Sequence, residues 1–233
     1  MELTLLAAAL TGAAAVWVTN RLLARRVEVD RPTDALIGAA AVGLAVGRVA
    51  AMIGTGVNPL LRPGDILIVR GGVSTVFATL GALATLAWTH RHRLPTALDQ
   101  LAPAALAGLA GWHGGCLWRG TCLGTVSDVP WAMTSAGTAV TRHPVELYAA
   151  IGMVVAAVLV AGFPTRPWTA TGLGIAAAGG VRALTEPLRV SISGGPVEWY
   201  LAAVAVGVVI AVAGHRLTRT RPPGPSSMET APP

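Results

Sequence analysis

Seven long apolar stretches run through this chain, and they constrain its fold more than any other feature. A helix needs about twenty apolar residues to cross the hydrocarbon core of a bilayer, and an open sheet cannot satisfy its edge hydrogen bonds there. Only 12% of the 233 residues are charged, about half the share typical of a soluble domain. The sequence therefore predicts an all-α integral membrane protein with about seven transmembrane helices. The stretches are Leu3–Val18, Ala35–Gly54, Val73–Thr89, Ala97–Trp118, Leu147–Phe163, Trp168–Val181 and Trp199–Gly214.

The arginines are distributed unevenly between the two sides that such helices define. With the N-terminus outside, ten arginines fall in cytoplasmic segments and five in outer segments. Because cytoplasmic loops carry the excess of basic residues, we expect an outer N-terminus and a cytoplasmic C-terminus. The cytoplasmic set is Arg21, Arg25, Arg26, Arg31, Arg91, Arg93, Arg166, Arg216, Arg219 and Arg221, and the outer set is Arg62, Arg70, Arg119, Arg142 and Arg189.

The first apolar stretch has no basic residues before it and a basic cluster after it, which favours a retained helix over a secretory leader. We expect one polytopic transmembrane domain over residues 1–215 and a disordered, Pro/Ser-rich cytoplasmic tail over residues 216–233. The net charge of +6 is explained by basic loops that contact anionic membrane lipid. We therefore expect no nucleic-acid partner.

Three charged residues, Arg182, Glu186 and Arg189, close the sixth apolar stretch. Their spacing of four and three residues places them on one face of a helix. One interpretation is a structural ion triad that fixes helix packing. The other is an anion site, because arginine forks match the geometry of phosphate and a carboxylate between them orients them. Pro187 weakens the end of this helix, which favours the second interpretation.

Other polar residues lie in or beside the apolar stretches, among them Arg48, Asp99 and His113. His113, Cys116 and Cys122 have the spacing H-x2-C-x5-C, which is a weak zinc pattern because no fourth ligand is evident. A disulfide between the two cysteines on the oxidising outer face is the alternative. We expect no metal and no cofactor.

The fifth apolar stretch is preceded by His143-Pro144-Val145-Glu146 and contains Tyr148. A helix start accounts for the proline and for an acid near the positive end of the helix dipole. It does not account for His143 or Tyr148, so these two are candidate functional residues.

In these motifs the sequence resembles the prolipoprotein diacylglyceryl transferase family, from about Gly47 to Arg189. The order and spacing of the motifs carry the resemblance. The segments are Gly47-Arg48; Gly71-Gly72-Val73-Ser74 with Leu80-Gly81; Asp99 to Pro103; Gly115, Gly120 and Gly124; Asp128 to Met133; His143-Pro144-x-Glu146-Leu147-Tyr148; and Arg182-x3-Glu186-x2-Arg189.

The resemblance implies transfer of a diacylglyceryl group from phosphatidylglycerol to the thiol of a lipobox cysteine in prolipoprotein signal peptides, at the bacterial plasma membrane. Arginines would neutralise the phosphate that leaves, and a base would make the thiol nucleophilic. The candidate catalytic residues are His143, His113 and Glu186. The candidate substrate-binding residues are Arg48, Arg119, Tyr148, Arg182 and Arg189.

Several positions depart from the family pattern. The family has histidine, arginine, asparagine, glutamate and arginine where this chain has, in order, Val76, His113, Cys116, Thr121 and Thr125. Two alternatives to the transferase thus stay open: a non-catalytic or differently specific lipid-binding relative, and a small-molecule transporter. The transferase differs from the non-catalytic relative in whether His113 or His143 can serve as the base in place of the missing histidine.

Overall fold

The computed structural model describes most of the chain. The described ranges are 2–24, 26–67, 72–116, 122–134, 137–163, 167–190 and 195–219. Arg119 and Thr121, which the sequence analysis singled out, lie outside these ranges, as do residues 220–233 of the predicted tail.

Helices dominate the described residues, and each predicted apolar stretch overlaps one long helix. Proline in the first turn of α2 and of α5 supplies a helical φ angle and needs no hydrogen-bond acceptor there. The helices are α1 (Glu2–Leu22), α2 (Pro32–Gly54), the short α3 (Gly64–Leu67), α4 (Thr75–Thr89), α5 (Leu94–Gly115), α6 (Val145–Gly162), α7 (Thr169–Thr185) and α8 (Val197–Arg219). Helix α8 extends four residues into the predicted tail.

Some of these helices have the dimensions of membrane spans. Within the described part of the chain, three are long and apolar enough to cross a bilayer, namely α2, α6 and the Val197–Arg216 part of α8. Their outward surfaces carry many large apolar side chains, such as Val158 at 68% exposure and Val209 at 65%. These features fit an all-α membrane protein.

A small β-hairpin between α5 and α6 is a departure from the purely helical prediction. Strand β1 (Met133–Thr134) pairs antiparallel with β2 (Thr141–Arg142), and Val126 forms an isolated bridge with Arg142. Two-residue strands lie below the length at which alternating hydrophobicity can be recognised, which is why the sequence analysis missed them.

Close helix contacts at small residues bring the polar side chains together. A Cβ atom at Gly111 of α5 would lie 2.8 Å from the Cα atom of Gly12 in α1, and one at Gly179 of α7 would lie 2.8 Å from the carbonyl oxygen of Tyr200 in α8. Small residues allow such approach where lipid provides no hydrophobic drive for association. The α7–α8 contact places Tyr200 beside Arg182.

Asp99 fixes the opposite end of α7. Its Oδ1 atom accepts hydrogen bonds from the Thr171 backbone N–H at 2.7 Å and from the Thr171 hydroxyl at 2.5 Å. This carboxylate is 3% exposed and satisfies backbone donors that a helix N-terminus leaves open. Asp99 therefore sets the position of α7 against α5 and, through it, the position of Arg182 at the other end of α7.

Candidate active site

Arg182, Glu186 and Arg189 meet where α7 ends, but not on a single helix. Helix α7 stops at Thr185, and residues Glu186–Leu188 form one 3-10 turn followed by extended backbone at Arg189. The predicted single helical face is therefore wrong for Arg189, because Pro187 cannot continue the α-helix. Arg182 Nη2 still donates to Glu186 Oε2 at 2.7 Å, and Arg189 Nη1 lies 3.7 Å from the same oxygen.

A second carboxylate, Glu146, completes this cluster. It lies in the first turn of α6 and is 4% exposed. Its Oε1 atom pairs with Arg189 Nη2 at 2.7 Å, and its Oε2 atom pairs with Nδ1 of His113 from α5. Sequence reasoning explained Glu146 by the helix dipole and missed this role. Its place in the His143–Tyr148 motif was the only signal that marked it.

Glu146 changes the charge balance of the candidate anion site. The predicted group is two arginines around one carboxylate, whereas the structure has two arginines and His113 around two carboxylates. The two carboxylates offset the charge of the arginines, so an anion site here depends on hydrogen-bond donors that are still unsatisfied.

Arg182 carries hydrogen-bond donors that are still unsatisfied. Its Nη2 atom also contacts the Tyr200 hydroxyl at 3.2 Å, and its guanidinium carbon lies 5.1 Å from the centre of the Tyr200 ring. Its Nη1 atom is buried and has no hydrogen-bond partner among the described residues. Buried polar groups in native proteins nearly always have partners, and an anionic oxygen is the strongest acceptor for a guanidinium.

His143 and Tyr148 form a second cluster at the same end of α6. The Tyr148 hydroxyl lies 3.3 Å from His143 Nδ1 and accepts a hydrogen bond of 2.6 Å from Trp131 Nε1. His143 directly precedes Pro144, the N-cap residue of α6. Trp131 belongs to the Asp128 to Met133 motif of the sequence, but its contact with Tyr148 was not foreseen.

Backbone hydrogen bonds connect the two clusters. Thr125 N donates to Leu188 O at 2.8 Å, and Thr125 O accepts from His143 N at 3.0 Å. Gly124 N donates to His143 O at 2.7 Å, and a side chain at Gly124 would collide with Leu188 O and Val145. The 122–126 loop thus holds the 3-10 turn of the arginine cluster beside His143.

Arg48 has described hydrogen bonds to residues other than those of the clusters above. It is buried in α2, and its described hydrogen bonds go to Asp65 O at 2.9 Å and Gly72 O at 3.0 Å. A shared site between Arg48 and the Arg182 cluster stays a prediction. Val76, where the family has histidine, is 54% exposed on α4.

Cys116 and Cys122 form a disulfide with a Cα–Cα distance of 5.8 Å. This decides between the two interpretations of the cysteines, since oxidised sulfurs are not zinc ligands. The bond joins the end of α5, one turn beyond His113, to the loop that leads to Gly124.

Comparison with known proteins identifies the family of this chain. The family model described as prolipoprotein diacylglyceryl transferase matches residues 4–216. The chain belongs to this family. The predicted resemblance is therefore confirmed.

Individual relatives match over shorter ranges. A phosphatidylglycerol–prolipoprotein diacylglyceryl transferase of Pseudoalteromonas translucida is 39% identical over 85 residues, which are 35% of this chain and 32% of the relative. The enzyme of the same name from Polynucleobacter necessarius is 36% identical over 99 residues, 41% of this chain and 37% of the relative. One from Shewanella sp. ANA-3 is 34% identical over 85 residues, 35% of this chain and 32% of the relative. The matched part thus spans about a third of these relatives.

Proposed function

We propose that this protein transfers the diacylglyceryl group of phosphatidylglycerol to the thiol of a lipobox cysteine in a prolipoprotein. The names of its relatives and its family membership support this reaction. The single observation that carries it is the Nη1 atom of Arg182, which is buried and lacks a hydrogen-bond partner in the described structure. A lipid phosphate supplies the anionic acceptor that this group requires.

The arginine cluster binds and stabilises the phosphate. As the thiolate attacks the glyceryl carbon, the carbon–oxygen bond breaks and its electron pair stays on glycerol phosphate. Arg182 Nη1 donates to the oxygens on which that charge develops. Arg189, Glu186 and Glu146 hold Arg182 and each other in place. Arg48 and Arg119 are also proposed to bind the phosphatidylglycerol headgroup.

His143 is better suited than His113 to be the base. Nδ1 of His113 is engaged by the Glu146 carboxylate, so we assign His113 to holding Glu146. Nδ1 of His143 contacts the hydroxyl of Tyr148, which can exchange protons. The family histidine is replaced by Val76 in this chain, and His143 would supply a base from a different position.

The proposed topology places this site on the outer side of a bacterial plasma membrane. We propose seven spans within residues 1–215, with the N-terminus outside and the C-terminus in the cytoplasm. The asymmetry of the arginines supports this orientation. Within the described residues, α5 is the one long helix between Arg93 and Arg142, so reporter fusions placed after these residues should report opposite sides. The same side for both would refute the topology.

Cys116 and Cys122 are expected to support folding rather than chemistry, because the nucleophilic thiol belongs to the substrate. A Cys116→Ser, Cys122→Ser double variant should lose about 2 kcal/mol of unfolding free energy and keep most transfer activity. Thermal unfolding and initial rates on the same preparation check both parts. Complete loss of activity in a folded variant would require a covalent role for one cysteine.

Complementation tests the proposed function in cells. A bacterial strain depleted of its own transferase should grow when it expresses the wild-type chain and should not grow with Arg182→Ala at equal membrane abundance. Failure of the wild-type chain to support growth, at normal abundance, would favour the non-catalytic relative.

A further inference from the structure

Trp131, Tyr148 and His143 form a hydrogen-bonded trio centred on one hydroxyl group. Trp131 lies in the loop before β1 and is 62% exposed, Tyr148 is in the first turn of α6, and His143 follows β2. Trp131 Nε1 is 2.6 Å and His143 Nδ1 is 3.3 Å from Tyr148 Oη. The transfer mechanism described above uses His143 but gives Trp131 no role.

The hydrogen-bonding capacity of these groups limits what each can do. A phenol hydroxyl has one proton and two lone pairs, and an indole N–H only donates. Trp131 therefore always occupies one lone pair of Tyr148, and His143 Nδ1 takes a second position on the hydroxyl. One lone pair of the Tyr148 hydroxyl is left to accept a hydrogen bond from a substrate.

The trio is held by its surroundings. The backbone of His143 is fixed by the hydrogen bonds with Gly124 and Thr125. Its ring meets the Tyr148 ring edge-on, with centroids 6.1 Å apart and planes at 64°. The neighbouring charged side chains have other partners: Arg142 Nη1 donates to Gly124 O at 3.1 Å, and Glu146 pairs with His113 and Arg189.

We infer that Tyr148 Oη, and not the His143 ring itself, takes the proton from the substrate thiol, and that Trp131 positions this hydroxyl. The inference rests on the proposed transferase function and adds a catalytic residue and a positioning residue to it. Neutral His143 accepts the Tyr148 proton at Nδ1, which leaves the free lone pair of the hydroxyl directed at the thiol.

The proton and electron movements balance in one step. The thiol proton moves to Tyr148 Oη while the phenolic proton moves to His143 Nδ1. The sulfur forms a bond to the glyceryl carbon, and the carbon–oxygen bond to phosphate breaks with its electron pair on glycerol phosphate. His143 then returns its extra proton through the same hydroxyl to water, which restores the starting state.

The test uses the full-length protein in phosphatidylglycerol vesicles with a synthetic lipobox peptide, and measures initial rates from pH 6 to pH 9.5. Tyr148→Phe should lower kcat roughly 100-fold at pH 7 and leave KM for the peptide unchanged. The deficit should shrink as the pH approaches about 8.5, because the cysteine thiol then ionises without help. Trp131→Phe keeps an aromatic ring but lacks the N–H donor, and should lower kcat roughly tenfold.

Trp88→Phe is the matched control, because Trp88 is also a surface tryptophan, 74% exposed near the C-terminal end of α4. This substitution should leave the rates unchanged.

Normal kcat in both Tyr148→Phe and Trp131→Phe, with an active wild type, overturns the relay and leaves the transferase intact. A deficit that is equal at every pH overturns it too, since it would mean a structural role. An inactive wild type overturns the transferase function itself and the relay with it. If Tyr148→Phe does not fold, the pH profile of Trp131→Phe decides alone.

Discussion

Arg182→Ala is expected to abolish diacylglyceryl transfer, with a rate loss on the order of 1000-fold. Two effects combine: the phosphate loses the donors of Nη1, and Glu186 Oε2 loses its 2.7 Å partner, which leaves it Arg189 at 3.7 Å among the described residues. Arg182→Lys keeps the charge without the fork, so we expect a smaller loss of roughly 30-fold and a folded protein. Initial rates of glycerol phosphate release, together with thermal unfolding, measure both changes.

The matched control for Arg182 is Arg216→Ala, which removes an exposed arginine from α8. It should leave the rate within about twofold of the wild type, because exposed charges contribute little. Should Arg182→Ala bind phosphatidylglycerol and turn over normally, the cluster is a packing device and the proposed phosphate site is wrong.

Glu146→Gln is expected to have the second largest effect, and this effect is on stability as well as rate. The substitution keeps the shape of the side chain but removes the charge that pairs with both His113 and Arg189. Glu146 is buried, but Arg189 is 40% exposed and can return to water, so the loss of these charge-assisted hydrogen bonds costs about 2 kcal/mol. We expect a loss of that size in unfolding free energy, and a roughly 100-fold lower rate because Arg189 no longer holds the cluster.

Glu198→Gln provides the comparison for Glu146, because Glu198 also lies in the first turn of a helix but is exposed. Its unfolding free energy should change by less than about 0.5 kcal/mol. Equal stability losses in the two variants would show that the sequence explanation of Glu146, a helix-dipole effect, was sufficient.

The helices were predictable because the length and polarity of apolar stretches are local properties of the sequence. Each predicted stretch overlaps a long helix. Arg182 and Glu186 were also predictable, since a spacing of four residues is a contact on any α-helix. Arg189 was misplaced because Pro187 ends α7 and turns the chain into a 3-10 turn, yet the contact with Glu186 persists at 3.7 Å.

The remainder of the site depends on packing between distant segments. Glu146 has a complete local explanation at a helix start, so nothing in its own surroundings pointed to His113, 33 residues away. Trp131 reaches Tyr148 from a loop 17 residues earlier, and no periodicity describes a loop. The disulfide was one of two alternatives because the spacing of two cysteines does not distinguish a disulfide from a pair of metal ligands. The resemblance to the transferase family, and not the local sequence pattern, indicated that these distant segments belong to one site.

The most direct test of the proposed reaction is the mass of a lipobox peptide after incubation with the purified full-length protein and phosphatidylglycerol vesicles. We expect that the cysteine gains one diacylglyceryl group, that an equal amount of glycerol phosphate appears, and that a peptide with serine in place of that cysteine stays unchanged. An unmodified cysteine peptide, with a folded protein that binds phosphatidylglycerol, would contradict the proposed reaction and indicate a lipid-binding protein without transferase activity.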